Sequence, residues 1–77
     1  MTSKQGYDPN FSKYFGKQMQ IFIEDERIIS GKVQHIDHFM NIVINDAYEE
    51  NEIEKKIRKL GKIIIRGASI INWSIIN

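Results

Sequence analysis

Five short apolar runs, separated mostly by polar links of a few residues, constrain the fold of this chain most strongly. Polar and apolar residues alternate in several of the runs, a period of two that is typical of β-strands. The runs cover residues 17–24, 27–36, 42–48, 62–66 and 69–76. Short links make consecutive strands antiparallel neighbours. The sequence therefore predicts a mainly β fold, a five-stranded antiparallel barrel of the SH3-like or OB type, with a sharp bend at Gly31.

A short α-helix is predicted before the first strand. Residues 1–7 are polar and are expected to be a flexible N-terminus, so the folded domain should span residues 8–77. Asp8 and Pro9 are typical of a helix start, and Gly16 is typical of a left-handed helix end. The aromatic residues share one helical face: Phe11, Tyr14 and Phe15. Two helical turns are not stable alone, so this face should pack on the barrel.

The size of the chain and its last two strands predict self-association. A domain of 77 residues without cysteine buries a small core and has no disulfide to support it. Residues 62–66 and 69–76 are rich in isoleucine on both faces, and as exposed edges they would aggregate. Pairing of these edges with neighbouring subunits predicts a ring or another closed assembly. Trp73 is expected in the core or at that subunit interface.

The charge pattern limits the kinds of partner. With 11 basic and 10 acidic residues, the net charge of +1 does not suit a protein that coats duplex DNA by charge alone. No apolar run has the length of a membrane span, and no signal-peptide pattern is present, so a soluble intracellular protein without membrane contact is expected. The charged residues 49–59 are predicted to form a solvated, mobile loop or an extended hairpin end, whose basic half offers contacts to phosphates.

A polar and aromatic interruption between the second and third runs is the candidate binding site. Asp37 suits a tight Asx-type turn, Phe39 offers a flat apolar face, and Asn41 offers a donor and acceptors. A flipped-out nucleobase needs such a ring and such an amide. The alternative is that Phe39 and Met40 both point inward and form part of the core.

Two motifs then resemble those of the Sm and Sm-like protein family over residues 9–76. They are Asp37-x-Phe39-Met40-Asn41, following the strand that contains Gly31, and Ile65-Arg66-Gly67-x-Ser69-Ile70. The resemblance implies the Sm fold, a strongly bent five-stranded barrel capped by the N-terminal helix. It also implies a seven-membered ring, in which the fourth strand of one subunit pairs with the fifth strand of the next. U-rich single-stranded RNA would bind at the central hole.

The same resemblance implies a role for each motif residue. Phe39 would stack on a base, and Asn41 would hydrogen-bond to the edge of that base. Arg66 would stack over the other face of the base or hold it through its guanidinium group. Gly67 would let the RNA pass close to the backbone, and Asp37 would orient the loop by bonding to Asn41 or to backbone amides.

The sequence departs from the family pattern in three places. Asp25 and Glu26 occupy a turn where Asn-Gly or Gly-Gly is usual, so the turn is expected to differ in shape. Ala68 stands where Asn or Asp is frequent, which removes one polar group near the expected RNA. His38 replaces a proline that is common in one branch of the family.

These observations lead to one functional expectation with open alternatives. The chain is expected to be an RNA-binding core subunit of a heptameric ring in a small nuclear ribonucleoprotein that acts in pre-mRNA splicing, in the nucleus and, during assembly, in the cytoplasm. Its partners would be the snRNA and other Sm or Sm-like subunits, with a homo-oligomer possible for the isolated chain. A ring of the U6 or mRNA-decay particle, or a peptide-binding SH3-like module without RNA, remains the alternative.

Catalysis, a metal site and a cofactor are not expected. There is no cysteine, and no serine lies in a nucleophile motif. His35 and His38 lack further ligands at metal-binding spacing.

Overall fold

A computed structural model describes residues 11–76 and shows one antiparallel sheet of five strands. The strands are β1 Gln18–Ile23, β2 Arg27–Ile36, β3 Ile42–Asn51, β4 Lys56–Ile65 and β5 Asn72–Ile76. Their order across the sheet is β4-β3-β2-β1-β5. Consecutive strands pair from β1 to β4, and β5 returns to pair with β1. The mainly β, five-stranded fold predicted from the sequence is confirmed.

The predicted N-terminal α-helix is wrong within the described residues. The chain forms a single 3-10 turn over Phe11–Tyr14, and the proposed helix start at positions 8 and 9 lies outside the described residues. The backbone of Val33 ends the turn early, because it accepts from the Gly16 amide at 2.7 Å and donates to the Lys17 carbonyl at 2.9 Å. Gly16 has the predicted left-handed conformation, with φ of +85°.

The aromatic face of this turn packs on the sheet, as expected. Phe11 is buried, and the Tyr14 ring meets the half-buried Trp73 edge-on at 5.3 Å between ring centroids. Phe15 lies further out, against the ring of His35.

The bend at Gly31 is confirmed, and its cause is close contact between two strands. The β2–β3 register shifts between Ser30 and Lys32, and Asp46 lies opposite this shift on β3 with φ of +52°. A Cβ atom on Gly31 would collide with the Ile44 side chain and would lie 2.8 Å from the Asn45 carbonyl oxygen. Only glycine lets β3 cross this closely, and the sheet can curve around its core.

The charged segment 49–59 is the end of a long hairpin, which corrects the predicted strand boundaries. β3 runs on to Asn51 rather than ending near residue 48, and β4 begins at Lys56 rather than at residue 62. Glu49 pairs with Arg58 across the two strands, with 3.5 Å between their charged groups. The Asn51 side chain accepts from two amides of the connecting turn. Cross-strand pairing therefore orders a segment that lacks an apolar pattern.

The last strand begins three residues later than predicted. Residues Gly67–Ser69 form a second 3-10 turn, and β5 starts at Asn72. Ile70 is consequently buried, whereas Ile71 is 62% exposed. The 3-10 turn takes up residues that the apolar pattern had assigned to the last strand, so the start of β5 is shifted along the chain.

One apolar core lies on the concave side of the bent sheet, while two sheet edges stay open. The buried residues include Met19, Ile21, Ile42 and Ile44, each with no exposed surface. Strands β4 and β5 form the edges, and Ile64 on β4 is 68% exposed. Within residues 11–76, no helix has the length and apolar character needed to cross a membrane.

Candidate functional site

The Asp37 side chain fixes the turn that carries the first predicted motif. Its Oδ1 accepts hydrogen bonds from the amides of Phe39 and Asn41, both at 2.9 Å. Its Oδ2 accepts a third from the Asn41 side-chain Nδ2 at 3.0 Å. The Asp37 carbonyl also accepts from the Met40 amide at 3.0 Å. One carboxylate thus holds the whole turn from Asp37 to Asn41 in a single shape, including the left-handed residue Met40 with φ of +65°.

These hydrogen bonds keep the Asp37 carboxylate charged. The pKa of Asp37 is lowered, first by the backbone amide of Asn41 and then by the Asn41 side chain, the Phe39 amide and the positive field of His38. Partial burial raises the pKa, but it does not outweigh these donors. The Asp37 carboxylate is therefore ionised at neutral pH, the form in which its hydrogen bonds to the turn are strongest.

Asn41 joins this turn to the second motif. Its Oδ1 accepts a hydrogen bond at 2.9 Å from the amide of Gly67, which lies 26 residues further along the chain. The orientation of the amide is fixed by its partners, since the Gly67 amide can only donate and the ionised Asp37 can only accept. Asn41 thereby holds the β2–β3 loop against the β4–β5 loop and keeps one N–H and one oxygen lone pair available.

Gly67 is required by close packing between the same two loops. It is buried, and a Cβ atom added to it would collide with the Phe39 carbonyl oxygen and would lie 3.0 Å from the Met40 Cβ. Close packing within the chain itself therefore explains why this position is a glycine. Its predicted role in letting RNA approach the backbone stays a prediction.

Phe39 and Met40 point in opposite directions. Met40 is 4% exposed and belongs to the core, while Phe39 is 69% exposed at the tip of the turn. Inward packing, the alternative considered from the sequence, thus holds for Met40 and not for Phe39. The Phe39 ring contacts the neighbouring His38 ring, with 4.1 Å between their centroids.

Arg66 lies in the second loop, directly beside Gly67. It is exposed and has an extended backbone, with φ of −75° and ψ of 138°, directly before Gly67. Because Gly67 contacts both the Asn41 side chain and the Phe39 carbonyl, Arg66 emerges beside the turn that carries Phe39. The structure therefore brings all five residues predicted from the sequence together at one rim of the sheet.

His38 lies beside these residues and was not predicted from the sequence as part of the site. No binding role is predicted for His38 from the sequence, although its position beside Phe39 indicates a possible contact between the two rings. Among the residues that the structure describes, no group of three or more His, Cys, Asp or Glu side chains could hold a metal ion.

A strongly bent five-stranded sheet with two hydrogen-bonded loops at one rim defines the class of small Sm-type barrels. The LSM domain family matches residues 9–74 of this chain, which therefore belongs to that family. A probable small nuclear ribonucleoprotein G from Arabidopsis thaliana is 35% identical over 69 residues, which cover 90% of this chain and 84% of that protein. This likeness agrees with the strings Phe39-Met40-Asn41 and Ile65-Arg66-Gly67-x-Ser69-Ile70-Ile71, which most resemble the G branch of the family.

Solved structures share the fold at lower identity. A heptameric archaeal Sm protein has a TM-score of 0.76 and 24% identity, covering 86% of this chain and 94% of that one. A Pyrococcus abyssii Sm protein in complex with a uridine heptamer has a TM-score of 0.75 and 23% identity, covering 84% and 90%.

Proposed function

We propose that this protein is an RNA-binding core subunit of a seven-membered Sm-type ring in a small nuclear ribonucleoprotein, where it binds U-rich single-stranded RNA for pre-mRNA splicing. One observation carries the proposal. The exposed ring of Phe39 stands on a turn that Asp37 makes rigid, and Asn41 ties this turn to the loop of Arg66. The names of the relatives, with small nuclear ribonucleoprotein G among them, support the same assignment.

Stacking would supply most of the binding energy. A base placed on the open face of Phe39 gains about 1–3 kcal/mol, an amount nearly independent of base identity. The guanidinium group of Arg66 can cover the opposite face of that base through its own planar stacking and its charge. Because the turn is already fixed by hydrogen bonds, little backbone order has to be gained when RNA binds.

The amide of Asn41 would supply the preference for uracil. Its remaining N–H can donate to a uracil carbonyl oxygen, and its remaining lone pair can accept from uracil N3–H. Cytosine reverses this pattern on its Watson–Crick edge, because it presents an amino donor and an N3 acceptor. The bonds to Asp37 and Gly67 hold the amide in one orientation, so it cannot flip to suit cytosine.

Ring formation follows from the open edges and adds to affinity. β4 and β5 lie at opposite edges of the sheet, and exposed side chains such as Ile64 and Ile76 accompany them. Pairing of β4 with the β5 strand of the next subunit would cover both edges. One stacking site per subunit is weak, but several around a ring act together through their effective concentration. Other Sm subunits are the proposed neighbours, and a homo-oligomer is proposed for the isolated chain.

The proposed location follows the proposed particle, with residence in the nucleus and in the cytoplasm during assembly. A ring of the U6 or mRNA-decay particle would use the same site, so its RNA has to be identified directly. Purification of the tagged protein from its source cells, with mass spectrometry and RNA sequencing of the bound material, separates these particles.

Replacement of Phe39 by alanine tests the binding site. In a ring assembled with the other Sm subunits, Phe39→Ala should weaken binding of fluorescently labelled oligouridine by about tenfold, in line with the loss of one stacking platform. Phe15→Ala is the matched control, because Phe15 is also partly exposed but packs against His35. Unchanged oligouridine binding by an intact Phe39→Ala ring would contradict the proposal.

A further inference from the structure

Two aromatic rings, rather than one, stand at the tip of the loop that carries Phe39. The His38 and Phe39 rings lie 4.1 Å apart between centroids and are tilted by 39°. Both residues are exposed, and both belong to the turn that Asp37 holds. A contact between two exposed, adjacent rings contributes little to the core, so its effect is on the surface that these rings form.

The backbone of Phe39 is fixed on both sides, but its ring is not held by the core. The Phe39 amide donates to Asp37, and its carbonyl oxygen lies against Gly67. The side chain nevertheless remains 69% exposed. A solvent-exposed ring that can rotate must be ordered before a base can stack on it, and this ordering lowers affinity. The contact with His38 restricts that rotation before RNA arrives.

We infer that His38 is a positioning residue for RNA binding, an inference that rests on the function proposed above. Its imidazole packs on one face of the Phe39 ring, holds that ring in the binding orientation and leaves the other face for one base. His38 acts through Phe39 in this account, and it does not act as a positive charge for the RNA phosphates.

Three substitutions at His38 separate stacking from charge. His38→Ala should weaken oligouridine binding to the assembled ring by about three- to tenfold, the range expected for ordering one side chain. His38→Phe keeps a ring without a charge and should restore wild-type affinity. His38→Lys supplies a positive charge without a ring and should bind as weakly as His38→Ala. His35→Ala is the matched control, because His35 lies on β2 and contacts Phe15, so its loss should leave RNA binding unchanged.

A double-mutant cycle tests whether His38 works through Phe39. If it does, His38→Ala combined with Phe39→Ala should bind no more weakly than Phe39→Ala alone. Additive losses, rescue by lysine but not by phenylalanine, or wild-type affinity of His38→Ala would each overturn the inference. The proposed function fails separately, through unchanged binding of Phe39→Ala, so the two failures are distinguishable. Size-exclusion chromatography with light scattering confirms that each variant still forms the ring.

Discussion

Replacement of Asn41 by alanine should destabilise the protein by about 2 kcal/mol through a single buried amide. In the folded chain, the Asn41 Oδ1 is the acceptor for the Gly67 amide at 2.9 Å. Gly67 is buried under the Phe39–Met40 backbone, so its N–H group would lose its partner without ready access to water. An unsatisfied buried donor costs about 1–3 kcal/mol. For a domain of this size, that loss corresponds to a decrease in Tm of roughly 8–16 °C.

The measurement is urea and thermal unfolding at one fixed subunit concentration, because assembly would otherwise change the apparent stability. Asn51→Ala is the matched control. This substitution removes the side-chain acceptor of two backbone amides, at 3.0 and 2.9 Å, but these amides lie in an exposed turn and can bond to water. Its cost should stay below about 1 kcal/mol. If Asn41→Ala and Asn51→Ala lower stability equally, the burial of the Gly67 amide is not the cause, and the reasoning fails.

Three further predictions concern the turns and the Asp37 carboxylate. Replacing Asp25 and Glu26 by Asn and Gly should raise the free energy of unfolding by about 1 kcal/mol, because both residues have left-handed backbones, with φ of +66° and +58°; an unchanged urea midpoint would contradict this. Gly67→Ala should cost about 2 kcal/mol and weaken oligouridine binding, because its Cβ would collide with the Phe39 carbonyl; wild-type Tm in a differential scanning measurement would refute it. The folded state lowers the pKa of Asp37 below its ordinary value of 3.8, so its stabilising contribution is complete above that pH and is lost as the pH falls through the folded value. Asp37→Asn should therefore be less stable than the wild type at neutral pH, and the difference should shrink in acid; a difference that does not change with pH would rule out the carboxylate as its source.

The parts of the fold that depend on neighbours in the sequence were predictable. β2 has the predicted bounds, and the left-handed Gly16 is where the pattern placed it. The bend at Gly31 is also where a glycine within a strand predicted it, although its cause is a contact with β3. The Asp37 turn belongs to this group, because all of its hydrogen bonds join residues at most four positions apart. Local geometry of this kind is set by residue type and spacing alone.

Features that depend on distant partners could not be found in this way. The strands beyond residue 48 are ordered by cross-strand pairs such as Glu49 with Arg58. Charged residues carry no apolar period that could decide between the predicted mobile loop and the predicted hairpin end. Alternation could not decide whether Phe39 or Met40 faces the core. Gly67 packs against the backbone of this turn, and that contact joins residues 28 positions apart.

The candidate site and the open edges of the sheet are physically connected. β4 ends at Ile65 and β5 begins at Asn72, so the segment that contains Arg66 and Gly67 is the link between the two edge strands. A neighbouring subunit that pairs with either edge would fix one end of this link. The hydrogen bond from the Gly67 amide to Asn41 would transmit that constraint to the turn that carries Phe39. Ring closure would thus reduce the freedom of the residues proposed to bind a base, and by thermodynamic reciprocity bound RNA would favour the closed ring to the same extent.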